Sequence, residues 1–324
     1  MTKLLLSLTI LLAAGVRCIA ADSFKAIESE KTIVLQYGGE AFLTYHKAEV
    51  PPPKEADPIF KRSGFIHPLK SPIGATVTGI HPSDHYHHLG LWHAWVNCKH
   101  DGQAVDFWNL KTGTGRIGYK KTLTVISTEN QAGFVVEQAH IAYKGETKEP
   151  VTVLHEVFSV NARMAEGALE IDYETVQVNV TDHALEFPAY RYGGPIAYRA
   201  PHHWKNGNSD YLSSDGKTRI DGHQTRSHWV AMYGPAGTEK NDPVACLTIL
   251  SDPKNHDAPQ RMRVWPPSSN DGAIFFNYVP IQQYPWAIKP GQTSTMRYRL
   301  VVSDAKPDPE ALNARWERYA KETK

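Results

Sequence analysis

The residue types able to do chemistry are concentrated in one short stretch. His81, Asp84, His85, His87, His88 and His93 fall within thirteen positions of a 324-residue chain that holds 16 histidines in all. Imidazole titrates near neutrality, so such a group can move protons, bind a metal or hydrogen-bond a polar ligand. If residues 85–88 are extended, His85 and His87 point to one face and His88 to the other. Three chemistries then compete. His85 and His87 form an i, i+2 half-site for a divalent metal, with a third ligand from His88, Asp84, Asp106 or His202. Alternatively, one histidine is a general acid or base whose tautomer is held by Asp84 or Asp106. In the third reading the histidines, with Trp92, His93 and Trp108, line a sugar cleft by stacking and hydrogen bonding. A purely structural cluster bonded to loop backbone is the plain alternative.

A second cluster spans 181–204. Glu186, Arg191, Arg199, His202 and His203 alternate there with aromatic residues. Arg191 has the planar fork that grips a carboxylate or sugar hydroxyls, or it pairs with Glu186. Gly193-Gly194-Pro195 marks a tight turn or a close backbone approach. His202 and His203 point apart if extended, so at most one faces the site. His67 is a further candidate contact, or a loop hydrogen-bonder. His155 sits among valines and reads as a satisfied core histidine; His223, Arg226 and His228 suit a loop rim. The chain has no Gly-x-Ser-x-Gly elbow, phosphate-binding glycine loop or paired-cysteine zinc motif.

The elements that must position these groups are mostly strands. Period-2 patterns place strands at 32–37, 41–45, 74–80, 133–142, 151–160, 168–180, 244–250, 273–279 and 295–303. Within 168–180 the apolar parity flips from Leu169, Ile171 and Tyr173 to Val176, Val178 and Val180, which predicts a β-bulge near Thr175. Long connections at 50–63, 201–226 and 251–270 are of the kind that build sites. One helix is expected over 309–322, capped by Asp308, with Pro309 first and Leu312, Trp316 and Tyr319 in one stripe. The expected fold is all-β: a two-sheet antiparallel β-sandwich, closed by that carboxy-terminal helix as a lid.

The chain as a whole narrows the function classes. Lys3 followed by the apolar run Leu4–Ala14, then Ala20 and Ala21, reads as a signal peptide over 1–21. That predicts a secreted or periplasmic protein with one domain over 22–324. Arg17 before Cys18 argues against lipidation. No later segment approaches the roughly 20 apolar residues of a membrane span. Net charge is +1 with no basic run, which argues against a nucleic-acid partner. Cys98 and Cys246 either pair in an oxidising compartment or remain buried thiols.

Three stretches carry a family resemblance: Ile66-His67-Pro68-Leu69 with Ser71-Pro72-Ile73-Gly74; Asp84-His85-Tyr86-His87-His88-Leu89-Gly90-Leu91-Trp92 with Val105-Asp106-Phe107-Trp108; and Arg191-Tyr192-Gly193-Gly194-Pro195. The sequence resembles the secreted bacterial family labelled "methane oxygenase PmoA-like", although Tyr86 and Leu89 replace that pattern's proline and arginine. The label does not imply membrane methane oxidation, because this chain lacks the transmembrane bundle. A histidine-brace copper site is equally unsupported, since neither Ala21 nor Asp22 is histidine. The chain also looks like the galactose-mutarotase type of β-supersandwich, around the turn Lys289-Pro290-Gly291-Gln292 and Met296-Arg297-Tyr298. That likeness implies a sugar ligand handled by His, Arg and carboxylates on a concave sheet.

The combined expectation is a carbohydrate-active enzyme with His/carboxylate acid–base chemistry. His85 and His87 are the central pair and His88 a third member. Asp84 or Asp106 orients a ring, while Arg191, His202, Glu186, Trp92, His93, Trp108 and His67 contact substrate. A non-catalytic carbohydrate-binding module and a metal-dependent oxygenase or hydrolase are the alternatives, the latter needing a divalent metal on His85 and His87.

Overall fold

A computed structural model describes residues 23–239 and 241–322; segment 1–21, expected to be a signal peptide, lies outside them. Among the described residues, twenty strands form three antiparallel sheets. The first is ordered β1 (Phe24–Glu28), β2 (Thr32–Tyr37), β3 (Glu40–His46), β4 (Phe65–Leu69), β5 (Leu91–Ala94), β13 (Gly194–Arg199), β18 (Phe275–Tyr278), β17 (Met262–Val264). The second runs β14 (Asp210–Ser213), β15 (Trp229–Pro235), β16 (Val244–Ser251), β20 (Thr293–Ser303), β11 (Ala168–Asn179), β10 (Glu149–Ala165), β9 (Ala132–Lys144), β8 (Gly115–Ser127). A small third sheet joins β19 (Trp286–Ile288), β12 (Leu185–Phe187), β6 (Cys98–His100) and β7 (Gln103–Val105). The all-β sandwich expected from period-2 patterning is therefore the observed architecture, with the small sheet added.

The two large sheets bury one continuous hydrophobic core. Tyr45 of β3 lies 4.9 Å from Phe134 of β9, and Tyr278 of β18 stacks on Tyr298 of β20 at 5.7 Å. Aromatic pairs at these spacings add to plain area burial. The helix α1 (Pro309–Glu322) is capped as expected, with Asp308 Oδ1 accepting from the Glu310 and Ala311 amides at 3.0 and 3.3 Å. Its Leu312, Trp316 and Tyr319 pack in a second cluster with Trp229, Leu250 and Val301, on the outer face of the second sheet.

Three sequence expectations are corrected. Strand β11 keeps unbroken register with both β10 and β20, so there is no bulge at Thr175. The inward parity continues through Thr175, Gln177 and Asn179, which are buried although polar. Each has a partner: Thr175 Oγ1 donates to Glu156 Oε1 at 2.6 Å, Gln177 Oε1 accepts from Trp95 Nε1 at 2.9 Å, and Asn179 Nδ2 donates to the His183 and Ile288 carbonyls at 2.8 Å. Paired polar groups can occupy a core, and so the valines stood on the wrong face of the pattern. Likewise, His155 is exposed and its neighbour Glu156 is fully buried. Residues 74–80 form no strand, only isolated bridges from Thr76 to Lys70 and from Ile80 to Leu89. There the Thr78 hydroxyl takes the Leu69 amide at 3.0 Å, folding the chain back on β4. The 201–226 connection also contains β14, and β8 has no counterpart among the expected strands. Cys98 and Cys246 are free and buried.

The interior holds one strongly polar knot. Glu156 Oε2 accepts from His93 Nε2 and His140 Nε2, each at 2.8 Å. Fully buried Arg62 donates to the His93 carbonyl at 2.7 Å. Burial lowers the Arg62 guanidinium to about 10, with the Glu156 charge opposing the drop. Burial favours the neutral Glu156 acid, but His93 and His140 outweigh it and hold the carboxyl well below its usual range. Removing one partner of such a buried charged group leaves the others uncompensated. Glu156→Ala is expected to lower unfolding free energy by about 3–5 kcal/mol in urea titrations; an unchanged midpoint would show that the knot does not stabilise the fold.

Candidate active site

The candidate site begins where β5 begins. The loop before it closes through two successive turns, with the His85 amide bonded to the Pro82 carbonyl and the His88 amide to the His85 carbonyl, both at 2.9 Å. Gly90 then adopts φ 66°, and a Cβ there would stand 2.4 Å from the Ile66 carbonyl oxygen. Only glycine tolerates that combination, which sets the loop against β4. Because 85–88 is turn rather than strand, its rings do not alternate between faces. His85 and His88 stack at 4.7 Å, His87 and His88 meet edge-on at 4.8 Å, and His85 and His87 lie 5.5 Å apart.

These three rings line a hollow of about 150 Å³. Trp108 and Asn109 come from the connection after β7, Arg191 and Tyr192 from the loop before β13, Arg263 and Trp265 from β17 and its end, and Phe275 from β18. Phe275 stacks on His88 at 4.9 Å, and Trp265 lies 4.9 Å from His85. The tight Gly193 turn is what presents Arg191. A Cβ at Gly193 would meet Val96 Cγ1 at 2.4 Å, while its amide donates to Asn277 Oδ1 at 2.8 Å. A larger open hollow, about 880 Å³, lies along segments 203–210 and 233–244. It gathers a single histidine, His203, so the smaller hollow is the better chemical candidate.

Behind the rings, Asp84 forms a two-pronged pair with Arg199 Nη2, both oxygens at 3.0 Å. His85 Nδ1 stands 3.3 Å from Asp84 Oδ2. Burial pushes the Asp84 carboxyl up, but the His85 ring and Arg199 guanidinium overcome it and hold the group at about 2. Asp84 is thus an anion beside His85 throughout the ordinary pH range. Burial, reinforced by His85, pushes His87 down to about 3. Burial also carries His88 well below its usual value. Both are neutral near pH 7, and His85 beside them is half-buried.

The remaining expected residues are dispersed. Asp106 spends its oxygens on the Trp108 and Asn109 amides, at 2.9 and 2.8 Å, and on Asn109 Nδ2 at 2.8 Å, so it shapes the Trp108 turn and orients no histidine. Trp92 is buried beneath the wall, 5.1 Å from His88 and 5.2 Å from Trp108. His93 belongs to the Glu156 knot. His67 Nδ1 meets the Thr78 hydroxyl at 2.9 Å, and burial lowers that ring to about 4. His202 is exposed with Nε2 3.1 Å from the Ile80 carbonyl, outside the hollow. Glu186 lies exposed on β12 and forms no pair with Arg191, whose guanidinium sits 5.4 Å over the Tyr192 ring. His223 accepts from Arg263 Nη1 at 3.1 Å, and Arg226 pairs with Asp257 at 2.8 Å. Arg263, Trp265, Phe275 and Asn109 escaped the sequence reading. Only Asn109 carried a local signal, its place directly after Trp108.

Among the described residues, the one group of three or more His, Cys, Asp or Glu whose ligand atoms gather within 4.8 Å is His93, His140 and Glu156. The His85–His87 pair brings no third such ligand to that spacing. In the interior group, the carboxylate already receives two imidazoles and the Thr175 hydroxyl, with Arg62 alongside. The carboxylate oxygens are fully engaged, while His140 Nδ1 and Arg62 Nη1 are buried without a hydrogen-bond partner.

The chain belongs to the Family of unknown function (DUF6807), which matches residues 32–317. That description gives no support to the PmoA-like resemblance. Comparison with curated proteins gives no match. Among solved structures, the chain is similar to a galactose mutarotase related enzyme from Lactobacillus acidophilus, with 10% identity, TM-score 0.39, and coverage of 87% of this chain and 98% of that one. It is also similar to a putative aldose 1-epimerase from Escherichia coli K12, with 8% identity, TM-score 0.36 and coverage of 86% and 98%. These likenesses are too distant to bear on the chemistry.

The lowered His87 and His88 values have a consequence for stability. The unfolded chain protonates both rings near about pH 6.5, whereas the folded protein keeps them neutral. The unfolded state therefore binds more protons below that pH, and stability falls as pH drops from about 6.5 toward the folded-state values. The urea midpoint is expected to be lower at about pH 5 than at about pH 7.5, with a smaller difference in His87→Gln. A pH-independent difference between the two proteins would contradict a neutral, desolvated His87.

Proposed function

We propose that the protein is a carbohydrate-active enzyme in which His85 transfers a proton to or from a sugar held in the hollow. The observation that supports this most is the convergence of three imidazoles with Trp108, Trp265, Tyr192 and two guanidinium groups around one opening. Aromatic faces stack on the C–H faces of a sugar ring, and imidazole and guanidinium donors meet its hydroxyls. The volume is below the roughly 300–1,000 Å³ of ordinary ligand clefts, so it suits one ring or the end of a chain. Asp84, fixed as an anion by Arg199, stands 3.3 Å from His85 Nδ1 without a well-aligned hydrogen bond, and its charge favours the tautomer with the proton on Nδ1, leaving Nε2 to accept. No carboxylate lines the wall. Hydrolysis between two carboxylates is accordingly disfavoured against proton abstraction, the first step of epimerisation or elimination.

A thermal-shift and turnover screen against monosaccharides, uronates and short glycosides tests the reading. With a turned-over sugar in hand, His85→Ala is expected to lose about 10²–10⁴ in kcat while still binding it. Undiminished turnover would remove His85 from the mechanism; binding without turnover in the native protein would mark a non-catalytic module. The amino-terminal apolar run adds the proposal that the protein acts outside the cytoplasm. Sequencing of exported protein is then expected to start near Ala21 or Asp22, and a retained full-length chain inside the cell would refute export.

A further inference from the structure

The hollow carries positive charge that nothing in its wall answers. Arg191 and Arg263 both line it, and neither takes part in an ion pair among the described residues. The nearest hydrogen-bond partner of Arg263 is the His223 ring, which burial and the arginine itself keep neutral. Arg191 is exposed, with its guanidinium over the Tyr192 face. Two carboxylates lie nearby: Asp84 is already neutralised by Arg199 from behind, and Asp106, within electrostatic reach of Tyr192, has its oxygens engaged by the Trp108 and Asn109 amides and the Asn109 side chain. Burial lowers Arg263, and the charge of Arg191 lowers it further, which places the two cations within electrostatic reach of each other. Two like charges held together beside neutral rings cost energy unless a ligand supplies the counter-charge.

We infer that the site recognises an acidic sugar, with Arg191 and Arg263 gripping a carboxylate or sulfate oxyanion on the ring that Trp108 and Trp265 flank. Guanidinium forks match both oxyanions in two-pronged geometry. For a carboxylate, this contact also acidifies the adjacent C–H bond, the kind of bond His85 is placed to deprotonate. The inference rests on the sugar reading above for the rest of the ligand, but its charge argument stands on the two arginines alone.

The test compares galactose, galacturonic acid and a galactose sulfate by calorimetry and thermal shift, with sulfate and citrate as non-sugar anions. Acidic sugars are expected to bind roughly tenfold or more tightly than galactose, and the preference is expected to collapse in Arg263→Gln and Arg191→Gln. Added salt should narrow it. Exposed Arg191 makes the second variant a safe one for folding, and the unliganded melting temperature of each checks this. Preference for a carboxylate over a sulfate sugar, or the reverse, identifies the oxyanion. Equal binding of neutral and acidic sugars would overturn the inference and leave the sugar reading standing. Arginine-dependent stabilisation by sulfate or citrate, with no sugar binding, would support the anion site and sink the sugar reading. No response to any anion would overturn it outright.

Discussion

The carboxylate of Glu156, sealed between the two large sheets, is the constraint on which the rest is hung. It comes from β10, receives His140 from β9 and Thr175 from β11, and reaches across the core to His93 on β5. A charge taken out of water is tolerated only when its lone pairs are met, so the four strands are fixed relative to one another at that point. Arg62, threaded between β3 and β4, brings the compensating positive charge and also secures the His93 backbone. The core is thus held in register by polar groups as well as by packing.

That tie sets the position of the candidate site. His93 lies three residues beyond Gly90, the glycine that closes the 85–88 turns against β4. With β5 fastened at His93 and the chain reversed at Gly90, the three imidazoles have little freedom to leave the end of the first sheet. Trp265 and Phe275 arrive from the end of β17 and from β18, three and two strands along the same sheet, and Arg191 arrives through the Gly193 turn. Burial then divides the chemistry: His88 and His87 are kept neutral, while His85, beside an anion pinned by Arg199, stays near solvent. The same loop therefore supplies two uncharged wall groups and a third ring beside the Asp84 anion.

Much of this was legible in the residues. Alternation identified most of the long strands of the second sheet, and the Asp308 cap with Pro309 identified where the helix starts. The histidine cluster pointed to the hollow, and the glycine pair before Pro195 to a close approach beside Arg191. What failed did so for identifiable reasons. Thr175, Gln177 and Asn179 were read as outward because they are polar, yet each is inward because a partner awaits it across the core. His155 and Glu156 exchanged roles for the same reason, since the buried position needed a carboxylate to bridge two imidazoles. Asp106 looked like a histidine's companion in sequence but closes its own turn instead.

Local order in the chain determined which segments extend, where the helix starts and stops, and that imidazoles, indoles and guanidiniums exist in the right neighbourhoods. Tertiary structure alone decided which of them meet. Turns rather than a strand at 85–88 brought all three rings to one side. Strands more than 150 positions away brought Arg263, Trp265 and Phe275 to face them. Alternation records only which face of an element is apolar, and so it is blind to partners that become neighbours when sheets close on each other.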